Sequence, residues 1–148
     1  MTSPPDLRVR DASAADIEAF VPLLGDLGYP TPADTIRERF ARLSANGERV
    51  IIAETGGSIV GLMTVHSGLH VLHRPKPVCR ITMLVVAERA RGMGVGRALV
   101  REAERIATEY GCGVLEVTSN LKRAEAHAFY EKLGFDRTSY RFGRLMGD

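Results

Sequence analysis

Apolar and polar positions alternate along the chain with two periods, and the switches between them mark out strands and helices. Leu7-Arg8-Val9-Arg10 has the period of a strand. Ser13 and Asp16 have the spacing of a capping box, and Ile17, Phe20, Val21 and Leu24 stripe the helix it opens, which residues 25–30 break. Thr31-Pro32 offers an N-cap and a proline at the first helical position. Ile36, Phe40 and Leu43 then stripe a second helix ending near Asn46-Gly47. Residues 50–54 form a strand, Thr55-Gly56-Gly57-Ser58 a hairpin turn, and residues 59–66 the returning strand. Gly61 within it marks a bulge or a close backbone approach. Residues 68–77 are a loop punctuated by two prolines, and residues 78–87 a long strand, apolar at Leu84-Val85-Val86.

The strongest helical pattern comes next. Val95, Leu99, Ala103, Ile106 and Tyr110 fall on one face, and Gly111 and Gly113 end the segment. Residues 114–118 form a strand. Asn120 is expected to cap a helix over 121–133 that stops at Gly134. Residues 135–146 are expected to hold one or two final strands. The resulting order, β-α-α-β-β-β-α-β-α-β, predicts a mixed α/β (α+β) fold with a twisted central sheet flanked by helices, as one domain over 1–148.

Composition narrows the function classes. The chain has 148 residues, 45% hydrophobic and 26% charged, enough for one globular domain with a core. A net charge of +2 gives no global reason to expect a nucleic-acid partner. Cys79 and Cys112 lack CxxC spacing and read as core thiols, with no metal site. The N-terminal residues lack a basic-then-apolar signal, and no apolar run approaches the ~18 residues of a membrane span. The expectation is a cytoplasmic protein with no membrane partner.

The candidate chemistry lies in Arg91-Gly92-Met93-Gly94-Val95-Gly96-Arg97, which joins the apolar strand to the periodic helix. Glycines let backbone N–H groups converge without Cβ interference, and a helix start adds unpaired N–H groups and partial positive charge. The combination is an anion cradle, with Arg91 and Arg97 beside it. A structural strand–helix turn would use the same glycines. A dinucleotide cradle is a further reading, with Glu116 about 20 residues on as the ribose acid. It lacks the GxGxxG register and follows several antiparallel-looking strands.

Two motifs resemble the GNAT superfamily of N-acetyltransferases. Arg91 to Gly96 fits that family's Arg/Gln-x-x-Gly-x-Gly/Ala loop. Asn120, Ala124, Ala128, Phe129-Tyr130 and Leu133-Gly134-Phe135 are similar to its Asn-x-x-Ala-x-x-Phe-Tyr-x-x-x-Gly-Phe segment, with two extra residues between Asn120 and Phe129. The resemblance implies a sheet splayed between its fourth and fifth strands, with acetyl-CoA as co-substrate and no metal. The pyrophosphate would lie on the N–H groups of Arg91, Gly92, Met93, Gly94, Val95, Gly96 and Arg97. Pantetheine would bond like an extra strand along Leu84, Val85 and Val86, with a backbone N–H near Val85 polarising the thioester carbonyl. Asn120, Arg123 and Phe129 would flank the cofactor.

The resemblance also gives Tyr130 a role, protonating or hydrogen-bonding the departing thiolate; by itself it would read as a core aromatic. Glu116 has two open readings, an ion-paired carboxylate or the general base for the amine. Many family members carry a glutamate on the fourth strand, where this chain has Arg80-Ile81-Thr82-Met83. His66, His70 and His73 read as surface or acceptor-lining side chains. The implied function is transfer of an acetyl group to a primary amine of a small molecule or peptide by direct attack in a ternary complex. A non-catalytic acyl-CoA-binding regulator on the same fold is the alternative. The resemblance leaves the acceptor, a longer acyl donor and a homodimer open.

Overall fold

The computed structural model describes residues 3–147. By internal contacts the chain divides after Val117 into a larger and a smaller unit. The larger is built on one sheet whose strands lie in chain order: β1 (Arg8–Asp11), β2 (Glu48–Thr55), β3 (Ser58–Leu69), β4 (Val78–Val86) and β5 (Val114–Val117). Neighbours from β1 to β4 are antiparallel. β5 runs parallel to β4, because helix α3 (Val95–Glu109) carries the chain back before it enters.

Ile51 and Ile52 are both 0% exposed although they point to opposite faces of β2, so the sheet is covered on both sides. α3 lies on the face of Ala53 and Gly61 and buries Val95, Leu99, Val100, Ala103 and Ile106. α1 (Ile17–Leu27) packs on β3 and β4, and α2 (Ala33–Ala45) on α1 and β2, covering the opposite face. Gly56 and Gly57 turn the β2–β3 hairpin with φ of 58° and 77°, the left-handed pair that a two-residue hairpin requires.

Several boundaries differ from the expectation. α1 runs through Gly25 and ends at Gly28, whose φ of 101° supplies the left-handed cap. Asp16 does accept the Ser13 N–H at 2.8 Å, but the capped segment is a 3-10 turn, Ala14–Asp16, that feeds α1. Thr31 does not cap α2. Its hydroxyl donates to the Tyr29 carbonyl at 2.7 Å, and Pro32 holds the cap position. Tyr110 leaves the buried face of α3 and is 49% exposed at the helix end.

In the smaller unit α4 spans Ala124–Lys132, starting later than expected. Asn120 is not its N-cap. The Asn120 side chain accepts the Lys122 N–H at 2.9 Å and its carbonyl accepts the Arg123 N–H at 3.0 Å, which commits these residues to a turn. Gly134, with φ of 94°, closes the helix. The expected final strands are absent from residues 135–147. Tyr140 and Phe142 alternate as a strand would, yet both are exposed and no backbone ladder includes them. Alternation supplies a strand's faces, not the partner whose hydrogen bonds make it one.

Candidate active site

β4 reaches further than β5. Their pairing runs from Val78 with Val114 to Ile81 with Val117, while β3 continues beside β4 as far as Val86. Thr82 to Val86 therefore has a strand on one side and a free edge on the other. The Ala87 N–H donates to the Val60 carbonyl at 2.8 Å. Alternation from that bond turns the amide of Val85 toward β3 and those of Leu84 and Val86 outward. A free edge of this kind accepts an extended amide ligand as an added strand.

The free edge leads into the glycine loop. Ala87 and a short 3-10 turn, Glu88–Ala90, connect β4 to Arg91, and α3 starts at Val95. Gly92 and Gly94 have φ of 79° and 80° and turn the chain into the helix. Gly96 lies inside the first turn of α3. Among the described residues no side chain caps α3. The N–H of Ala98 is the first to bond back, to Gly94 at 3.0 Å, and those of Val95, Gly96 and Arg97 have no partner among the described residues. Arg91 and Arg97 are exposed, Met93 is half-buried and Val95 is buried. Free donors, helix polarity and two guanidinium groups meet at one place, which suits a phosphate-bearing ligand.

Below the splay the sheet carries polar side chains on the face away from α3. Arg80 contacts Glu116 at 2.5 Å, so the Glu116 carboxylate is ion-paired. Thr82 is the extra residue where the β3–β4 register shifts, and its hydroxyl meets that of Thr64 at 2.6 Å. Neither Arg80 nor Thr82 stood out as a site residue from sequence. Their shared face follows only from the bulge, although polar residues two apart on an otherwise apolar strand were a visible signal.

In the smaller unit Tyr130 is buried, with its ring edge-on to Phe129 at 5.2 Å and to Phe135 at 5.7 Å. Burial raises its phenol pKa above the ordinary value, partly countered by the positive charge of Arg123. The Ser119 hydroxyl is buried without a hydrogen-bond partner. His127 Nε2 lies 2.8 Å from the Asn120 carbonyl. Arg123 and Asn120 are exposed.

Of the remaining candidates, His66 lies opposite Arg80 in the sheet. His66 Nδ1 sits 2.7 Å from Glu48, and His66 and His70 line a cavity of about 460 Å³ with Asn46, Ser67 and Tyr110. His73 is exposed. Among the described residues no three His, Cys, Asp or Glu side chains group as metal ligands. Cys79 is buried, which pushes its thiol up to about 12, and Cys112 is half-buried and raised for the same reason. No helix of the described residues is long and apolar enough to cross a membrane.

The chain is similar to known proteins in sequence and in fold. A family model described as acetyltransferase (GNAT) family matches residues 17–135. The chain is 33% identical over 95 residues, 64% of its length, to the aminoalkylphosphonate N-acetyltransferase of Salmonella typhimurium, of which the match spans 61%. It is 28% identical over 139 residues to the glucosamine 6-phosphate N-acetyltransferase of Trypanosoma brucei brucei, covering 91% of this chain and 92% of that one. A solved transcriptional regulator from Bacillus halodurans matches with a TM-score of 0.84 at 29% identity, over 95% of this chain and 99% of that one.

Proposed function

We propose a reaction for this chain, which belongs to the acetyltransferase (GNAT) family: transfer of an acetyl group from acetyl-CoA to a primary amine by direct attack in a ternary complex. The observation that carries it is the continuity of β4's free edge with the uncapped start of α3. One element suits the amides of a pantetheine arm, and the next suits a pyrophosphate. At Gly94 the loop lies close to another part of its own chain, since a side chain there would meet Ser3 Oγ at 2.6 Å.

In this reading Leu84, Val85 and Val86 hold the pantetheine, and Arg91 to Arg97 hold the pyrophosphate. Asn120, Arg123 and Phe129 flank the cofactor. The outward N–H groups of Leu84 and Val86 are the donors for the thioester oxygen as charge builds on it. The amine nitrogen bonds to the acetyl carbon while the C–S bond breaks and CoA leaves as thiolate. Glu116 takes the amine proton, directly or through water, and the Tyr130 hydroxyl donates to the leaving sulfur. The pair Arg80–Glu116 fits this assignment because both Arg80 contacts fall on Oε1, leaving Oε2 for the amine. The two relatives named for aminoalkylphosphonate and glucosamine 6-phosphate support a small amine as acceptor.

Titration calorimetry with acetyl-CoA tests the cradle, with a dissociation constant of about micromolar order expected. Absence of binding removes the reading at its base. The likeness to the Bacillus halodurans transcriptional regulator favours a second reading, a non-catalytic acyl-CoA-binding regulator. It predicts cofactor binding with no CoA release from any amine in a broad screen.

A further inference from the structure

We propose that the acceptor is a short amine carrying its own anionic group, a carboxylate, phosphate or phosphonate, and that the Arg80–Glu116 pair reads both of its charges. The inference rests on the acetyl-transfer reading and names the substrate class of that site.

Three registers set up the reader. Glu48 is opposite His66, His66 opposite Arg80, and Arg80 opposite Glu116. These residues form one polar row across four strands, on the face away from α3. Within the row the side chains pair off. Glu48 takes His66 Nδ1 at 2.7 Å, and Glu116 is left as the carboxylate partner of Arg80. The row lies one residue pair below Ile81 and Val117, where β4 and β5 part. Arg80 is four residues from Leu84, about 13 Å along β4. An amine that reaches the free edge of β4 across this face passes over Arg80, Thr82 and Glu116.

The Arg80–Glu116 pair is open in a way that the Arg10 and Arg49 pairs are not. Arg10 meets Asp16 fork to fork, Nη1 on one carboxylate oxygen at 2.9 Å and Nη2 on the other at 3.0 Å. Arg49 likewise engages both oxygens of Asp11. Arg80 instead places Nε and Nη2 on the single oxygen Oε1 of Glu116. A guanidinium has five N–H donors, so the rest of its fork stays available to an oxyanion, as does Glu116 Oε2 to an ammonium. Both side chains keep solvent access, 41% for Arg80 and 34% for Glu116. The exposed Thr82 hydroxyl, held by Thr64, adds a neutral donor on the same face. A lone cation would meet Arg80 as a like charge, and a lone anion would meet Glu116. Only a molecule with both charges satisfies both partners, which makes the pair a filter as well as a grip.

The test compares four amines of similar length by CoA release: 2-aminoethylphosphonate, 3-aminopropanoate, 1,3-diaminopropane and propylamine. The two zwitterions are expected to exceed the other two in kcat/KM by roughly ten- to a hundredfold, the range for a charge-assisted hydrogen bond. R80Q should remove most of that advantage through KM, and R80K should keep part of it. Ethylphosphonate, an anion without the amine, should compete with the zwitterions on the wild-type chain, a measurement that needs no folded variant. Equal rates for all four amines, a preference for the diamine, or an advantage that survives R80Q overturns the inference. So does a lack of competition by ethylphosphonate. Acetyl-CoA binding is measured on the same samples. If acetyl-CoA binds and no preference appears, the inference alone fails; if acetyl-CoA does not bind, the reading beneath it fails as well.

Discussion

Gly61 on β3 and Val95 at the start of α3 are packed so closely that a β-carbon on Gly61 would stand 2.9 Å from Val95 Cγ1. The same atom would lie 3.0 Å from Leu99 Cδ1 and 3.2 Å from the Ala53 β-carbon. The absent side chain therefore sets how near the first turn of α3 comes to the sheet, and with it the place of the free N–H groups. Gly61→Ala is expected to cost about 1–3 kcal/mol by overpacking and to weaken acetyl-CoA binding by moving the helix start. Urea denaturation and calorimetry read the two effects separately. A wild-type stability would mean that Val95 and Leu99 rotate aside freely.

Gly92 and Gly94 share a left-handed backbone but not a neighbourhood. A β-carbon on Gly92 meets open space, while one on Gly94 meets Ser3 Oγ at 2.6 Å. Gly92→Ala should cost about 1 kcal/mol from backbone strain alone. Gly94→Ala should cost that and lose more affinity for acetyl-CoA than Gly92→Ala does. Equal affinities for the two variants would show that the approach at Gly94 is not part of the cradle.

Tyr130→Phe keeps the packing against Phe129 and Phe135 and removes the hydroxyl. It should lower kcat by roughly 10²-fold or more, as expected of a general acid, with little change in acetyl-CoA binding. Because burial raises the phenol's pKa, the hydroxyl stays protonated up to at least its ordinary value near 10. A basic limb of the pH–rate profile below pH ~10 should therefore persist in Tyr130→Phe. The raised pKa contributes stability that is complete below the unfolded value and lost as pH rises through the folded one. An unchanged kcat with a good acceptor would remove Tyr130 from the mechanism.

Asp16 ties the entry of α1 to β1, receiving both arms of the Arg10 fork and the Ser13 N–H. Hydrogen bonding to Arg10 is the main reason its carboxyl pKa is lowered. A depressed carboxyl stabilises the fold above its unfolded pKa and loses that contribution as pH falls through the folded value. Asp16→Asn should cost about 1 kcal/mol at neutral pH, and the gap from wild type should close as pH falls below about 4. Denaturation curves at pH 7 and pH 3 would show it. A gap that is the same at both values would assign the loss to packing instead.

Local sequence determined a good deal of this protein. Periods of two and near four set the strands and helices as far as α4, because each period is imposed by the backbone whatever lies around it. The paired glycines at 56 and 57 set the hairpin, and the Gly92–Gly94 loop before a helix marked the candidate anion cradle, since left-handed φ and a helix start are properties of a few consecutive residues. What depends on a partner distant in sequence was decided by tertiary structure alone. Tyr140 and Phe142 alternate as in a strand and join no backbone ladder among the described residues, and Asn120 turns the chain where it had the form of a helix cap. The outward amides of Leu84 and Val86 follow from one bond between Ala87 and Val60. The polar row from Glu48 to Glu116 exists only in the register of four strands, in which residues up to 36 positions apart become neighbours. A side chain's type is written in the sequence, but which charge faces it is set by pairing, and pairing is a sum over the whole sheet.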